Sequence, residues 1–582
     1  MPSIAIKGQE RSVQVPKGTK LLEALRSLDP GIEAPCGGQG RCGKCRVLIE
    51  DSGVSSVRKE VLACQYEVEK DLLVALPSRG FGRILEGGKG GHTPVRPVVR
   101  SVEASVPRCP LGEASSDCAR VKEALGRAVR IPLTVARDLP ERLEACAYRG
   151  NAVLCMDTLA AIRAEKKICC VLACDIGTTT IVSYLLDAES GEQLAVSSRW
   201  NPQAAYGADV ISRCEYAKND QEGSLTSLIQ KTLNELALEN AGKAHVAPED
   251  IYLAVVAGNT CMHHLFLGVS PSSLLKAPYN AAVDELQWLR ASDLGLCLHP
   301  EAQVCVLPVI AGFVGGDTVG VLLSLPEDTF DEWTLVLDIG TNGELVLGKG
   351  ERLFTCSTAA GPAFEGAKIT CGMRGAEGAV DHVTLDQREL RISVIGGGTP
   401  AGICGSGLID LICCLRELGI LLDNGRMERP ERWRPDVAAR YKERMVKRDG
   451  VRAFLLSDDP EGIYLTQKDV RQMQLAKAAI ASGIELLCEE AKIESGEIRS
   501  VLLAGAFGNY LSPKSACGIG MIPSVLLDRI RPIGNAAGEG AKIAALDRDV
   551  LLRSETLARS VRFLELATSE RFQEVYFQRL DF

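Results

Sequence analysis

Six histidines among 582 residues, aromatics at only 5 % and no apolar run approaching the roughly 18 residues of a membrane span close off several functional classes at once. A membrane-embedded protein is excluded. There is no basic excess either: 66 Lys and Arg face 75 Asp and Glu, a net charge of −9. A nucleic-acid binder needs clustered cations against the phosphate backbone, so the expected partners are small molecules or proteins. The start, MPSIAIKGQE, lacks the basic, apolar and small-residue succession of a secretory signal, which predicts a cytoplasmic chain. His263 and His264 are adjacent, point to different sides of any helix or strand, and read as structural residues rather than a metal pair.

What is abundant is cysteine, with 22 residues. In an intracellular chain these are not a disulfide framework. Cys169, Cys170, Cys174, Cys413 and Cys414 stand in apolar runs, where a thiol serves as a small core residue, and such usage suits a reducing, anaerobic cell. The length exceeds what one core supports and predicts three or four domains.

The tetrapeptide Asp-Ile-Gly-Thr occurs twice, at Asp175–Thr178 in VLACDIGTTTIVSYLLD and at Asp338–Thr341 in TLVLDIGTNGELVLG. Each copy ends one apolar run and begins another, which is strand, tight turn, strand. The pattern makes a phosphate cradle. Backbone and hydroxyl groups of Gly177, Thr178, Thr179 and Thr180, and of Gly340, Thr341 and Asn342, face the oxyanions, while Asp175 and Asp338 face their Mg²⁺. A single copy is equally an ordinary turn, because Asp, Gly and Thr are common turn residues. Two copies in matching contexts imply a duplicated site that binds and hydrolyses ATP.

Three further segments have the form of ligand loops. In VIAGFVGGDTVGVLL, Asp317 follows Gly315 and Gly316 at a helix start, where it orients a water at the γ-phosphate or simply caps the helix. TPAGICGSGLIDLI places Gly402, Gly405, Ser406 and Gly407 at a helix entrance, where free N–H groups favour phosphate or ribose. VLLAGAFGNYL ends a strand with Gly505, Ala506, Phe507 and Gly508, whose small residues admit an adenine ring or close helix packing.

Near the start, EAPCGGQGRCGKCRV and the later LACQ set Cys36, Cys42, Cys45 and Cys64 in a C-x5-C-x2-C-x18-C array, close to the plant-type [2Fe-2S] spacing. Gly37, Gly38, Gly40 and Gly43 let that loop wrap a cluster. Zinc is the competing occupant, but the first pair is too widely spaced for an ordinary zinc knuckle. The preceding SIAIKGQERSVQVPKGTKLLEALRSL reads as two alternating strands around the Lys7–Arg11 turn and a short amphipathic helix, the order of a β-grasp ferredoxin.

These readings divide the chain into a ferredoxin-like domain over 1–84, a flexible linker over 85–99, a small α/β middle domain over 100–167 and a two-lobed α/β ATPase over 168–582. The lobes are expected at about 168–328 and 329–582. A flexible segment of about 14 residues spans roughly 20 Å, enough to swing a cluster between donor and acceptor or to serve as a passive tether.

Two DxGT motifs, an intervening Asp and a late glycine-rich motif resemble the acetate and sugar kinase, Hsp70 and actin superfamily, whose ATP lies between two ribonuclease-H-like lobes. NPQAAYGADVISR (201–213), AGNTCMHHLFLG, CSTAAGPAFEGAKITCGMRGAEGAV (356–380) and GICGSGLID, joined to a [2Fe-2S] domain, closely resemble the reductive activators of corrinoid proteins. The resemblance is weakest between about residues 85 and 165. It implies an ATP-dependent return of one electron to cob(II)alamin in a partner corrinoid methyltransferase protein, restoring cob(I)alamin. The cofactors implied are a [2Fe-2S] cluster, ATP and Mg²⁺. A low-potential ferredoxin or flavoprotein is implied as donor, and a homodimer as assembly. ATP cannot itself reduce anything; it biases which complex is populated, so hydrolysis drives a closing or release step. The 356–367 loop belongs, by the resemblance, to the corrinoid-facing surface, with Ser357 the candidate hydroxyl. No DxHxxG-type motif appears, so the corrinoid belongs to the partner. Two other readings stand beside this one: an activator of a 2-hydroxyacyl-CoA dehydratase, and a small-molecule kinase with a redox-sensing ferredoxin domain.

Overall fold

Period-two burial in the strand Ser3–Ile6, with Ile4 and Ile6 facing inward, starts a five-stranded mixed sheet. The computed structural model describes residues 1–7, 11–28, 38, 40, 45–51, 59–76, 96–125, 129–207, 209–361, 363–366, 368–457, 459 and 462–582. The sheet order is Ser12–Gln14, Ser3–Ile6, Leu72–Ala75, Arg46–Asp51, Lys59–Leu62. Only the central pair, Ser3–Ile6 with Leu72–Ala75, is parallel. Helix Leu21–Leu28 lays Leu21, Leu22 and Leu25 into the same core as Ile4, Ile6, Val47 and Val74, which is the expected β-grasp unit.

Most of the expected linker lies outside the described residues. Where the chain is described again, Arg96 pairs with Asp549, and Val98 and Val99 are completely buried. Packing therefore resumes slightly before the expected boundary at 99. A three-stranded antiparallel sheet follows, Val99–Ser105, Arg149–Cys155 and Thr158–Arg163, with helices Asp117–Ala124 and Leu139–Ala145 closing its core. Its other face, through Val153, Cys155 and Ala161, shares a core with Val171, Ala173 and Val255 of the next unit, and Arg163 reaches Asp250 at 2.7 Å.

The remainder contains one architecture built twice. In the first lobe the strands run Gln193–Trp200, Thr180–Asp187, Cys170–Ile176, Ile251–Gly258, Gln303–Val306, with Gln287–Arg290 added at the edge. In the second they run Arg352–Thr358, Gly343–Lys349, Thr334–Ile339, Ser500–Ala504, Ile530–Gly534, with Val561–Phe563 added at the opposite edge. In both, the first three strands form an antiparallel meander and the fourth and fifth lie parallel to the first. Strands buried on both faces read as continuous apolar runs, as Ile251–Gly258 does.

The lobe boundary expected near residue 328 misses one crossing. Helix Ala536–Leu546 follows the second lobe's fifth strand, yet Ala541, Ala544 and Ala545 pack with Val319, Leu323 and Val171 of the first lobe. It meets helix Gly316–Ser324 at a contact where an added Cβ on Gly540 would overlap the Gly320 carbonyl. Two glycines there let the helix backbones touch, so the lobes are joined through a pair of closely packed helices.

Candidate functional site

Each Asp-Ile-Gly-Thr segment closes a hairpin. Ile176 pairs with Ile181 across the first turn, and Ile339 with Gly343 across the second. The two hairpins face one another across a single cavity of about 590 Å³. Asp175, Gly177, Thr178, Thr179 and Thr180 line it from one lobe; Asp338, Gly340, Thr341 and Asn342 line it from the other. Asp317, the second residue of helix Gly316–Ser324, also lines it, and its Oδ1 accepts from the Thr318 N–H at 2.8 Å. The three aspartates that are far apart in the chain thus share one cleft.

Their electrostatics follow from that gathering. Burial, then the neighbouring Asp317 charge, pushes the Asp175 carboxyl up to about 7. Asp338 is pushed up to about 7 by burial, then by Asp317 and Asp175. Burial raises Asp317 to about 6. Glu344, beside Asp338 on the adjoining strand, is raised as well by burial and then by Asp317 and Asp338. Three mutually repelling carboxylates gathered in one cleft, whose lining also includes Arg374, have the chemistry to accept a cation. Among the described residues no three His, Cys, Asp or Glu side chains form a ready-made metal cage. Mg²⁺ needs none, since it is held through one or two carboxylates, waters and phosphate oxygens.

The first Asp-Ile-Gly-Thr turn is braced from behind by the 201–213 segment. Asn201 Nδ2 donates to the Gly177 carbonyl at 2.9 Å, and its N–H donates to the Thr179 carbonyl at 2.8 Å. Arg213, 0 % exposed, donates to the Thr178 carbonyl at 2.5 Å and to the Gly207 carbonyl at 2.9 Å. Burial lowers its guanidinium to about 10, so it stays charged at neutral pH. Asn259, capping helix Thr260–Leu267, donates to the Thr178 hydroxyl at 2.9 Å and leaves that hydroxyl's own proton for a ligand.

The glycine-rich segments divide by placement. Gly405 and Ser406, at the start of helix Gly405–Glu417, line the cleft, as do Gly505 and Phe507 of helix Gly505–Tyr510. Gly402 and Gly407 do not: Gly402 pairs with Ala379, and a Cβ on Gly407 would overlap the Val380 carbonyl, so both serve packing. Gly508 backs onto Leu503, while Ala506 is placed only by its position in the helix. Ser357 stands on strand Arg352–Thr358 opposite Glu344, to whose carboxylate its hydroxyl donates at 3.4 Å, so it shares a sheet face with the cleft-lining Glu344. His264 is satisfied by the Thr260 carbonyl and the Ala282 N–H, and burial drives His263 down to about 3.

The cleft also takes lining residues that the motifs did not assign to it: Asn259, Glu344, Arg374, Asp381, the turn at Ile395–Gly396, Tyr510 and Asn535, together with Glu365, which the resemblance set in the corrinoid-facing loop. Only Asn259, Glu365 and Arg374 stood in segments singled out for resemblance.

In the ferredoxin-like unit, Arg46 pairs with Leu62 across the hairpin, which sets Cys45 and Cys64 at neighbouring positions just beyond it. Both are buried in one core, and Gly38 approaches Cys64. Two cysteines on adjacent backbone, with Gly38 beside one of them, fit part of a cluster's thiolate set; Cys36 and Cys42 lie outside the described residues. Helix Leu21–Leu28 carries Arg26, which donates to the Ala205 carbonyl and lies 5.0 Å over the Tyr206 ring.

Three family models match the chain: a 2Fe-2S iron-sulfur cluster binding domain over residues 4–69, the RACo middle region over 170–326, and the C-terminal domain of RACo, the ASKHA domain, over 332–582. The chain is 34 % identical over 583 aligned positions to the corrinoid activation enzyme RamQ of Eubacterium limosum, covering 97 % of each. It is 24 % identical to the [Co(II) methylated amine-specific corrinoid protein] reductase of Methanosarcina barkeri, over 71 % of this chain and 76 % of the relative. Among solved structures, a reductive activator for corrinoid, iron-sulfur protein superposes with a TM-score of 0.75 at 30 % identity, covering 100 % of this chain and 98 % of the other. With a ferredoxin unit, a duplicated ATPase and similarity along its whole length, this chain belongs to the reductive activators of corrinoid proteins.

Proposed function

We propose that this protein uses ATP hydrolysis to return one electron to cob(II)alamin in a partner corrinoid methyltransferase protein. One observation carries the reading beyond family membership. The ferredoxin helix is seated, through Arg26, on the Ala205–Tyr206 turn of the segment that Asn201 and Arg213 fasten to the first phosphate loop. A change at the phosphates is thereby one rigid segment away from the electron carrier.

In this reading Thr178, Thr179 and Thr341 donate to phosphate oxygens, and Asp317 orients the attacking water. Asp175 and Asp338 hold Mg²⁺, which supplies charge neutralisation for the phosphates. Gly405 and Ser406 take phosphate or ribose, and Gly505 and Phe507 flank the base. Cys36, Cys42, Cys45 and Cys64 hold the [2Fe-2S] cluster, which supplies a one-electron relay near roughly −400 mV. Every ~59 mV by which the cobalt couple lies lower costs a factor of ten. That uphill margin is what binding and release, timed by hydrolysis, must offset. A low-potential ferredoxin or flavoprotein as donor and a homodimeric assembly belong to the same proposal and follow from the family resemblance. No helix among the described residues is long and apolar enough to cross a membrane.

The test is anaerobic. Iron-reconstituted protein, a reductant, Mg-ATP and a cob(II)alamin-loaded corrinoid protein are mixed and the visible spectrum is followed. ATP-dependent cob(I)alamin that vanishes in Cys45→Ser and Asp338→Ala is the expected result. ATP turnover stimulated by a small metabolite, with no cob(I)alamin from any cognate partner, would replace the proposal with the kinase reading.

A further inference from the structure

Glu365 joins the two lobes at the centre of the cleft. Its Oε2 accepts from the Thr179 hydroxyl at 2.9 Å and its Oε1 accepts from the Thr341 hydroxyl at 2.6 Å. These hydroxyls come from the two Asp-Ile-Gly-Thr turns, one from each lobe: Thr341 ends its tetrapeptide and Thr179 directly follows the other. A carboxylate bridging them reproduces what a phosphate with two acceptor oxygens would do there. Each hydroxyl has one proton to donate, so it cannot serve Glu365 and a phosphate at once. Two anions would also be forced together inside a cleft already lined by Asp175, Asp317 and Asp338.

We propose that Glu365 is a positioning residue that occupies the terminal-phosphate seat in the nucleotide-free protein and is displaced by the γ-phosphate of ATP. The idea rests on the ATP-site reading above and deepens it. Its consequence lies in what Glu365 is attached to. Phe364, the residue before it, is buried against Phe507 with ring centroids 5.1 Å apart, and its carbonyl sits so close to Gly405 that a Cβ there would overlap it. The loop that bears Glu365 leaves strand Arg352–Thr358 at Thr358, which donates to the Gly343 carbonyl at 3.2 Å. It is anchored again at Thr370, whose N–H and hydroxyl both donate to Asp469. Between those anchors, releasing Glu365 moves Phe364 and with it the contacts to the helix entrances at Gly405 and Phe507. Arrival of the γ-phosphate is therefore converted into movement of residues 363–366, whereas ADP, lacking that phosphate, leaves the carboxylate in place.

The experiment measures binding of Mg-AMPPNP and of Mg-ADP to the full chain by calorimetry, for wild type, Glu365→Ala and Glu365→Gln, with hydrogen exchange of the 359–369 loop alongside. Removing an occupant that a ligand must displace raises that ligand's apparent affinity in proportion to the competent fraction. Glu365→Ala is expected to bind Mg-AMPPNP about tenfold tighter, with Mg-ADP unchanged. Glu365→Gln, which accepts through one oxygen only, should fall between and carries the test if the alanine variant folds poorly. Loop exchange should rise with Mg-AMPPNP in wild type and be high without nucleotide in Glu365→Ala. Weaker or unchanged Mg-AMPPNP binding in both variants, in a wild type that does bind it, overturns the displacement role and leaves the ATP site standing. A wild type that binds neither nucleotide removes both.

Discussion

Replacing Asp338 by Asn separates the cost of the empty cleft from its use. The native carboxyl is raised from 3.8 to about 7 by burial and by Asp317 and Asp175, so the folded state holds the proton more tightly than the unfolded chain does. Stability from this group is complete below about pH 4 and is lost as pH rises through the window up to about 7. At about 1.36 kcal/mol per unit the ceiling above that window is about 4 kcal/mol. Asp338 keeps contact with cleft water and shares its shift with two neighbours, so about 1–3 kcal/mol is expected from the amide. Urea unfolding of the nucleotide-free protein should show Asp338→Asn more stable than wild type by that amount at pH 8, by about a third of it at pH 5, and equal to it only below about pH 4. Mg-AMPPNP at a hundred times its dissociation constant should add about 2.7 kcal/mol to wild type and nothing measurable to the variant. A variant destabilised equally at both pH values, or stabilised by Mg-AMPPNP as wild type is, would refute the argument that repelling carboxylates await a cation here.

Three further outcomes follow from packing. Arg213→Lys cannot reach both the Thr178 and Gly207 carbonyls from a single ammonium; it should cost about 2–4 kcal/mol in urea unfolding by leaving buried acceptors unpaired and weaken Mg-AMPPNP by at least about tenfold in calorimetry. Gly540→Ala presses a Cβ into the Gly320 carbonyl and should lower stability by about 1–3 kcal/mol together with ATP turnover. Gly242→Ala, in the exposed part of helix Ser224–Ala244 with nothing within 4 Å, should instead stabilise by about 0.5–1 kcal/mol.

The features readable from the amino-acid order are those whose geometry is local. Asp175–Thr178 and Asp338–Thr341 each fold on their own strands, so one tetrapeptide announces a phosphate loop and two announce a duplicated ATPase. The cysteine spacing and the glycines around it work in the same way, because a hairpin carries Cys45 and Cys64 together within a short stretch of chain. That reasoning was less selective where a glycine-rich motif has two local uses: Gly405 lines the cleft, while Gly402 and Gly407, close by in the same motif, only make room for neighbouring backbone. Tertiary structure alone decided the rest. Glu365 becomes a bridge only when Thr179 and Thr341, each ordinary in its own loop, are brought face to face. Arg213 braces a loop far earlier in the chain, and helix Ala536–Leu546 returns to the lobe its position in the chain would not assign it. No periodicity encodes such pairings, because the free energy that selects them comes from burial and hydrogen bonds between segments that meet only in the folded protein.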